Sequence, residues 1–391
     1  MTLAHTSQLD AFGRLRVSNP VTLFDSQNRY RINDKYYSSN TNGATITYSA
    51  PESTVLLNVV SNSTAIRESR FVFNYQPGKS LMTLNTFVMA PPQANLIQRV
   101  GYYGSDNGYY IQRGPGSNVY VVERSNSSGT LTEILVPQSQ WNVDRIDGTG
   151  PSGVTLNLLA SQIWFTDIEW LGVGSVRTGV CIDGRFIPCH VFHHANIKQR
   201  TYITTACLPI RYEILASGTI SSTATLRQIC STVLSEGGYE PKEQLFCAVG
   251  PIGGNILNNT RIPLVSIRLA PGRLDAIAVL KQINLAVSSG NDLAQWYLVL
   301  NGTLTGATFT ANTESTNIQV DTAASAISGG RNIEVGYAQT GSINTSLQAS
   351  FFEAQVGRNS FTQTSDIITF CANGLTPDPK VFWSLAWSEL V

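Results

Sequence analysis

Along most of this chain apolar and polar residues alternate over short runs, and Gly, Pro, Asn, Asp or Ser interrupts them roughly every 8 to 12 positions. Capped stretches with the period of a helix are nearly absent. The clearest unit is Ser175–Phe192, SVRTGVCIDGRFIPCHVF. Val176, Thr178, Val180 and Ile182 alternate with Arg177, Gly179, Cys181 and Asp183, the period of two that a strand requires. Asp183-Gly184 between the two halves suits a type I′ hairpin turn, where both central residues need positive φ. A second hairpin is expected at Asn118–Val136, where VYVVE and LTEILV flank the polar loop RSNSSGT. A third is expected around Asn301-Gly302, between WYLVL and TLTGATF. Ile277–Val287, IAVLKQINLAV, reads as a long strand, although its apolar content also suits a buried helix. The C-terminal VFWSLAWSEL places Phe382, Ser384, Ala386 and Ser388 on one face and Val381, Trp383, Leu385 and Trp387 on the other, so it is expected to close a sheet.

The opening is different. Leu9–Ser26, LDAFGRLRVSNPVTLFDS, has apolar positions without a clean period, and Asn19-Pro20 breaks it. Residues 1–39 are therefore expected to form an extended arm docked on their own domain or on a neighbour, with the polar loop Ser38–Gly43 leading into the first sheet. A chain of 391 residues is too long for one ordinary core. A boundary is expected between Ile210 and Gly218. The pattern predicts an all-β protein with two β-sandwich domains, jelly-roll or concanavalin-like, over 40–215 and 216–391. No internal repeat is strong enough to indicate duplication.

Composition narrows the function. Charged residues make up 13% of the chain, about half the usual share for a soluble domain. Ser, Thr, Asn, Gln and Gly fill the positions that Lys and Glu normally take, which suits a protein that stays packed against neighbours. Lys and Arg number 26, as do Asp and Glu, so no net field draws in nucleic acid or an anionic membrane, and neither is expected as a partner. The opening lacks the basic region and apolar core of a signal peptide, and no apolar run approaches the length of a membrane span. Six cysteines in so long a chain make no disulfide framework and are expected to be reduced, small, apolar residues.

Candidate chemistry is sparse. Three histidines, His190, His193 and His194, lie beside Cys189, but no ligand pair stands at a recognisable metal spacing, and neighbours on a strand point to opposite faces. No metal or cofactor is expected. GPIGG (Gly250–Gly254) lacks the strand, helix and Lys-Ser/Thr end of a phosphate loop and reads as a turn. In GYYGSDNGYY, the residues Tyr102, Tyr103, Tyr109 and Tyr110 could stack on sugar rings if exposed, and serve equally at an interface or in a sheet.

Ile163–Gly174, IWFTDIEWLGVG, resembles the active-site strand of concanavalin-like glycoside hydrolases, in which Glu-x-Asp-x-Glu sets alternate carboxylates on one face. Asp167 and Glu169 match its second and third acids, but Phe165 stands at the nucleophile position, and a phenyl ring cannot attack an anomeric carbon. The resemblance implies the fold more than the activity, and no catalytic residue is expected.

A second resemblance spans more of the chain. FGRLRVSNPVTLFDS (Phe12–Ser26), QWNVDRIDGTGPSG (Gln140–Gly153), DIEWLGVGSVRTGVCIDG (Asp167–Gly184), HHAN (His193–Asn196), RQICSTVLSEGGYE (Arg227–Glu240) and the Trp-rich close are similar to a group of virion structural proteins of tailed bacteriophages and some large DNA viruses. It implies a virus-particle component (capsid surface, neck, baseplate or fibre-type), made in the host cytoplasm and acting through protein–protein assembly contacts. A homo-oligomer, a trimer by analogy, and other virion proteins are the expected partners. Phe12, Arg14, Leu15, Arg16, Val17, Leu23 and Phe24 are the expected assembly contacts. The alternative is a glycan-binding or receptor-recognition module on the particle surface using Tyr102, Tyr103, Tyr109 and Tyr110.

Overall fold

The structure, a computed structural model, describes residues 19–240, 242–288, 292–339, 341–346 and 354–390. It is all-β, with no α-helix among the described residues. The chain divides into two compact units, Met1–Glu240 and Pro241–Val391.

The first unit contains the strands β1 (Val21–Gln27), β2 (Tyr36–Thr41), β3 (Thr45–Ser49), β4 (Thr54–Val59), β5 (Thr64–Ser69), β6 (Ser80–Val88), β7 (Leu96–Tyr103), β8 (Gly108–Arg113), β9 (Val119–Ser125), β10 (Thr132–Pro137), β11 (Gln162–Ile168), β12 (Val176–Ile182), β13 (Arg185–Phe192), β14 (Ile210–Ala216) and β15 (Ala224–Glu236). They form an eight-stranded antiparallel sheet in the order β13-β12-β11-β6-β15-β4-β3, with β1 also on β15, and a seven-stranded sheet in the order β10-β9-β8-β7-β14-β5-β2. Alternation explains the layering. Val55, Leu57 and Val59 of β4, Phe87, Trp164, Val180 and Val233 are buried on one sheet, and Ala65, Val100, Tyr102, Ile111, Val121 and Ile214 on the other. The two inner faces pack as a sandwich, each large apolar side chain contributing about 1.5–3 kcal/mol of transfer free energy.

The hairpin at Asp183-Gly184 forms as expected, with φ of 51° and 72° at the turn. β9 and β10 form the second, pairing Ser125 with Thr132. The third does not form. Asn301 does turn with positive φ, but Leu293–Leu300 pairs with Arg331–Gln339 and Ile367–Gly374, while Thr303–Thr305 pairs with Ala326–Ser328. Two apolar runs around an Asn-Gly step mark a turn, and only the long-range partners decide which strands meet.

The expected domain boundary and arm are also corrected. β15 is the interior strand of the eight-stranded sheet, so a cut between residues 215 and 216 would remove a core strand. Residues 21–27 and 36–39, assigned to the arm, lie in sheet strands, and most of the expected loop Ser38–Gly43 is β2. A register shift between Thr22 and Phe24 explains why β1 lacks a clean period: both Leu23 and Phe24 are buried.

The second unit has two larger sheets and two two-stranded ones among the described residues. Its strands include β16 (Gln244–Val249), β17 (Asn255–Ile256), β18 (Ile262–Leu269), β19 (Ile277–Val287) and β20 (Leu293–Leu300). One sheet runs β16, the C-terminal strand Lys380–Leu390, β19 and Gly341–Ser346, with β17 beside β16 on the same edge of the C-terminal strand. The other runs Thr310–Ala311, Ile318–Asp321, β18, Ile367–Gly374, β20 and Arg331–Gln339. Ile277–Val287 is a strand throughout. Val381, Trp383, Leu385 and Trp387 are buried, as their alternation requires, and Trp387 stacks with Phe246 at 6.2 Å.

Candidate functional site

The strand that resembles a hydrolase active site is β11. Trp164, Thr166 and Ile168 face the core, which puts Phe165 and Asp167 on the other face of the sheet. Asp167 lies directly opposite Arg177 of β12. The Arg177 guanidinium donates from Nε to Asp167 Oδ2 at 3.0 Å and from Nη2 to the same oxygen. Asp167 is only 1% exposed and Arg177 is partly buried, so the ion pair is largely shielded from water. Phe165 faces Gly179 and packs edge-on against Phe186 with ring centroids 5.3 Å apart. Its ring fills the space that a side chain at Gly179 would take, a cross-strand pairing of an aromatic with a glycine. β11 ends at Ile168, but the Glu169 N–H still donates to the Ser175 carbonyl at 3.2 Å, which continues the register of Asp167 opposite Arg177, and Glu169 is itself buried.

The tyrosine cluster is likewise inside the protein, which overturns the expected glycan contact. Tyr102, Tyr103, Tyr109 and Tyr110 are each 2% exposed or less. The register shows why. Tyr103 faces Gly108 and Tyr110 faces Gly101, so each ring lies over a glycine on the next strand. A Cβ at Gly101 would come within 2.6 Å of Tyr110 Cα. Tyr102 and Tyr109 point the other way, into the sandwich, where the Tyr102 hydroxyl donates to the Ala206 carbonyl at 2.7 Å and Tyr109 donates to Glu123 Oε2 at 2.8 Å.

Around Tyr103 and Tyr110 the outer face of the seven-stranded sheet carries a charged network that reading the sequence strand by strand does not show. Arg211 bonds Glu213 through Nε and Nη2 at 3.0 and 2.8 Å, and Glu68 through Nη1 at 2.9 Å. Arg99 bonds Glu213 Oε1 at 3.0 Å and Gln112 Oε1 at 2.7 Å. Arg124 bonds Glu133 Oε1 at 2.8 and 2.6 Å, and the Tyr110 hydroxyl donates to the same oxygen at 2.6 Å. The guanidinium groups of Arg124, Arg99 and Arg211 lie 5.3 to 5.6 Å from the tyrosine ring centroids, at cation–π distance. Burial pushes the Glu213 carboxyl up, but the charges of Arg211 and Arg99 bring it below the usual carboxylate range. At Glu133 burial is likewise outweighed, by hydrogen bonds from Tyr110 and Arg124 and by the Arg124 charge. Acids and bases match across β5, β7, β9, β10 and β14, so the network ties strands together and presents little free charge to a ligand. Arg99, Arg124, Arg211 and Glu213 at alternate strand positions in a charge-poor chain were the available signal.

The histidines diverge. His190 Nδ1 accepts the Asn142 N–H at 3.3 Å, and burial together with the nearby His193 lowers its imidazole to about 4. His193 is exposed beside Ser175. His194 is buried, with Nε2 at 2.6 Å from Glu123 Oε2 and Nδ1 at 2.5 Å from the Gly174 carbonyl, its ring stacked 3.8 Å from Tyr202. Burial pushes the Cys189 thiol up. Among the described residues no cluster of three metal-binding side chains forms.

Of the expected assembly contacts, Phe12, Arg14, Leu15, Arg16 and Val17 lie outside the described residues. Leu23 and Phe24 do not serve as outward contacts. They are 1% and 4% exposed, and the Phe24 ring packs 4.9 Å from Phe73 and 5.8 Å from Tyr36.

Exposed apolar side chains occur in both units, and one group lies on β16 and the residues that follow it. Leu245 and Val249 of β16 are each 69% exposed, Ile256 is 66% exposed and Ile252 is fully exposed, with Phe382 on the same sheet 38% exposed. Alternation puts Leu245, Cys247 and Val249 on the outer face and Phe246 in the core.

No family model matches this chain, and no curated protein matches it. Similar solved structures include peanut lectin with a 9mer peptide (11% identity, covering 56% of this chain and 98% of that one, TM-score 0.32). Others are a Bacillus licheniformis β-glucanase (10% identity, 56% and 98% covered, TM-score 0.33) and a β-1,3-glucanase from Mycobacterium marinum (10% identity, 55% and 100% covered, TM-score 0.36). Likenesses this distant decide nothing about chemistry.

Proposed function

We propose that this chain is an architectural component of a virus particle that acts through protein–protein contacts and not through catalysis. The observation that carries the reading is the exposed apolar surface on Gln244–Ile256, in a chain whose acids and tyrosines with chemical potential are buried against their own neighbours. Water-exposed Leu, Val and Ile gathered on one strand and the adjoining loop gain by being covered. The charge-poor composition agrees, since a surface of Ser, Thr, Asn and Gln gives contacts with little desolvation of charge. The sequence resemblance at Phe12–Ser26 and Asp167–Gly184 supplies the virion setting.

A mass-spectrometric inventory of particles purified from the source of the chain tests this. Its peptides at a fixed ratio to the major shell protein support the reading. Their absence from particles, with turnover of a polysaccharide by the purified chain, overturns it.

A further inference from the structure

We infer that β16 is a self-association edge, pairing antiparallel with β16 of a second copy about a two-fold axis so that the two β16 sheets become one continuous sheet. The inference rests on the architectural reading above and names the contact.

β16 is the end strand of its sheet. The Gly250 N–H donates to the Trp383 carbonyl at 2.8 Å, and the pairing of Gln244–Val249 with the C-terminal strand has no register shift. Alternation from Gly250 therefore turns the backbone groups of Phe246 and Ala248 toward the C-terminal strand and those of Leu245, Cys247 and Val249 outward. A sheet edge with outward N–H and C=O groups is a template for another strand, and proteins commonly blunt it with charge, proline or a bulge. Three other edges among the described residues follow that rule. β10 carries Glu133 and Pro137, β13 carries Arg185 and Pro188, and Arg331–Gln339 carries Arg331 and Glu334. β2 and β3 lack charge but are built largely of Ser, Thr, Asn and Tyr. β16, QLFCAV, has no charge, no proline and no bulge, and is mostly apolar.

The strand is complementary to itself. With the axis at Cys247, Leu245 of each copy faces Val249 of the other, each facing pair exchanges two N–H···O bonds, and apolar side chains meet apolar side chains. No like charges oppose each other. In the joined sheet Leu245 of each copy lies beside Val249 of the other on the outer face, so each covers part of the other's exposed apolar surface. Such a contact is two-fold, and so builds even-numbered assemblies in place of the trimer expected by analogy.

The test is the light-scattering mass of the full chain across a concentration series, with Val249→Lys and, separately, Leu245→Glu, both at exposed positions. It is combined with a short bis-maleimide on Cys247, whose Cα atoms would lie about 5.5 Å apart across the axis. The expected result is a dimer whose dissociation constant rises at least tenfold in both variants, and a Cys247–Cys247 cross-linked peptide. An oligomer that persists in both variants without that peptide overturns the β16 contact and leaves the architectural reading standing. A chain that is monomeric at every concentration overturns the β16 contact too; if it is also absent from particles, the architectural reading falls with it.

Discussion

Phe165 lies directly opposite Gly179, and a Cβ on Gly179 would come within 2.9 Å of the Phe165 ring and 2.1 Å of the Ile187 carbonyl oxygen. The carbonyl is backbone in the adjoining strand and has little room to yield. Gly179→Ala is therefore expected to destabilise the first unit by about 2–4 kcal/mol. Urea unfolding should show a lower midpoint at unchanged slope. The same packing explains why Phe stands where a hydrolase has its nucleophile. Phe165→Glu is expected to lower the midpoint as well, because it puts a carboxylate where the ring packs against Phe186 and Gly179.

Asp167 and Arg177 give a second expectation. Removing one member of a buried ion pair leaves the other charged and desolvated, whereas replacing both with apolar residues removes the penalty. Arg177→Met alone should cost about 3–5 kcal/mol, and Asp167→Leu with Arg177→Met together should recover most of it. A double-mutant cycle in urea checks this. A double-variant loss equal to the sum of the Asp167→Leu and Arg177→Met losses would show that the two residues are uncoupled and would remove the pair as the cause.

How much was legible follows from what local pattern can encode. Ile277–Val287 and the C-terminal strand could be read because period-two alternation is a property of one strand and its two faces. The turn at Asp183-Gly184 could be read because positive φ is a local demand. The partner of Leu293–Leu300 could not, because pairing is decided by packing far away in sequence. The tyrosines' place in the sheet, one of the readings their pattern allowed, could not be singled out for the same reason. Their burial depends on Gly101 and Gly108 standing opposite Tyr110 and Tyr103, a matter of register. The Arg99–Glu213–Arg211 network draws on residues more than a hundred positions apart, and no single window shows that its charges cancel.

Acid should unfold the first unit in two stages. The His190 imidazole is lowered to about 4 from its ordinary 6.5, so between those values the unfolded chain binds more protons than the folded one. Its contribution is full above pH 6.5 and is lost as pH falls toward 4. Partial solvent screening keeps that loss to on the order of 1–2 kcal/mol. Glu213 and Glu133 are held below their ordinary 4.5, so their contribution is intact above 4.5 and is lost as pH falls further. His190→Asn should flatten the stability profile only between pH 6.5 and 4, and Glu213→Gln only below 4.5, in urea titrations at stepped pH. A His190→Asn profile with the parent slope would remove His190 as the cause.

Phe24 decides between an arm and a core strand. An arm that only gripped neighbours would leave the unit intact when trimmed. Instead β1 pairs with β15 from Val21–Ser235 to Gln27–Cys230, and Phe24 packs against Phe73 and Tyr36. Phe24→Ala removes a buried aromatic packed on Phe73 and Tyr36, and the rings around it cannot collapse fully into the gap. The expected cost is about 3–5 kcal/mol, and it should appear in the isolated chain at a dilution where no assembly forms. If Phe24→Ala left the urea midpoint unchanged and lowered only the assembled mass, the segment would be a contact and not a strand of the fold. The two outcomes separate because a core defect is independent of protein concentration, whereas a lost contact is not.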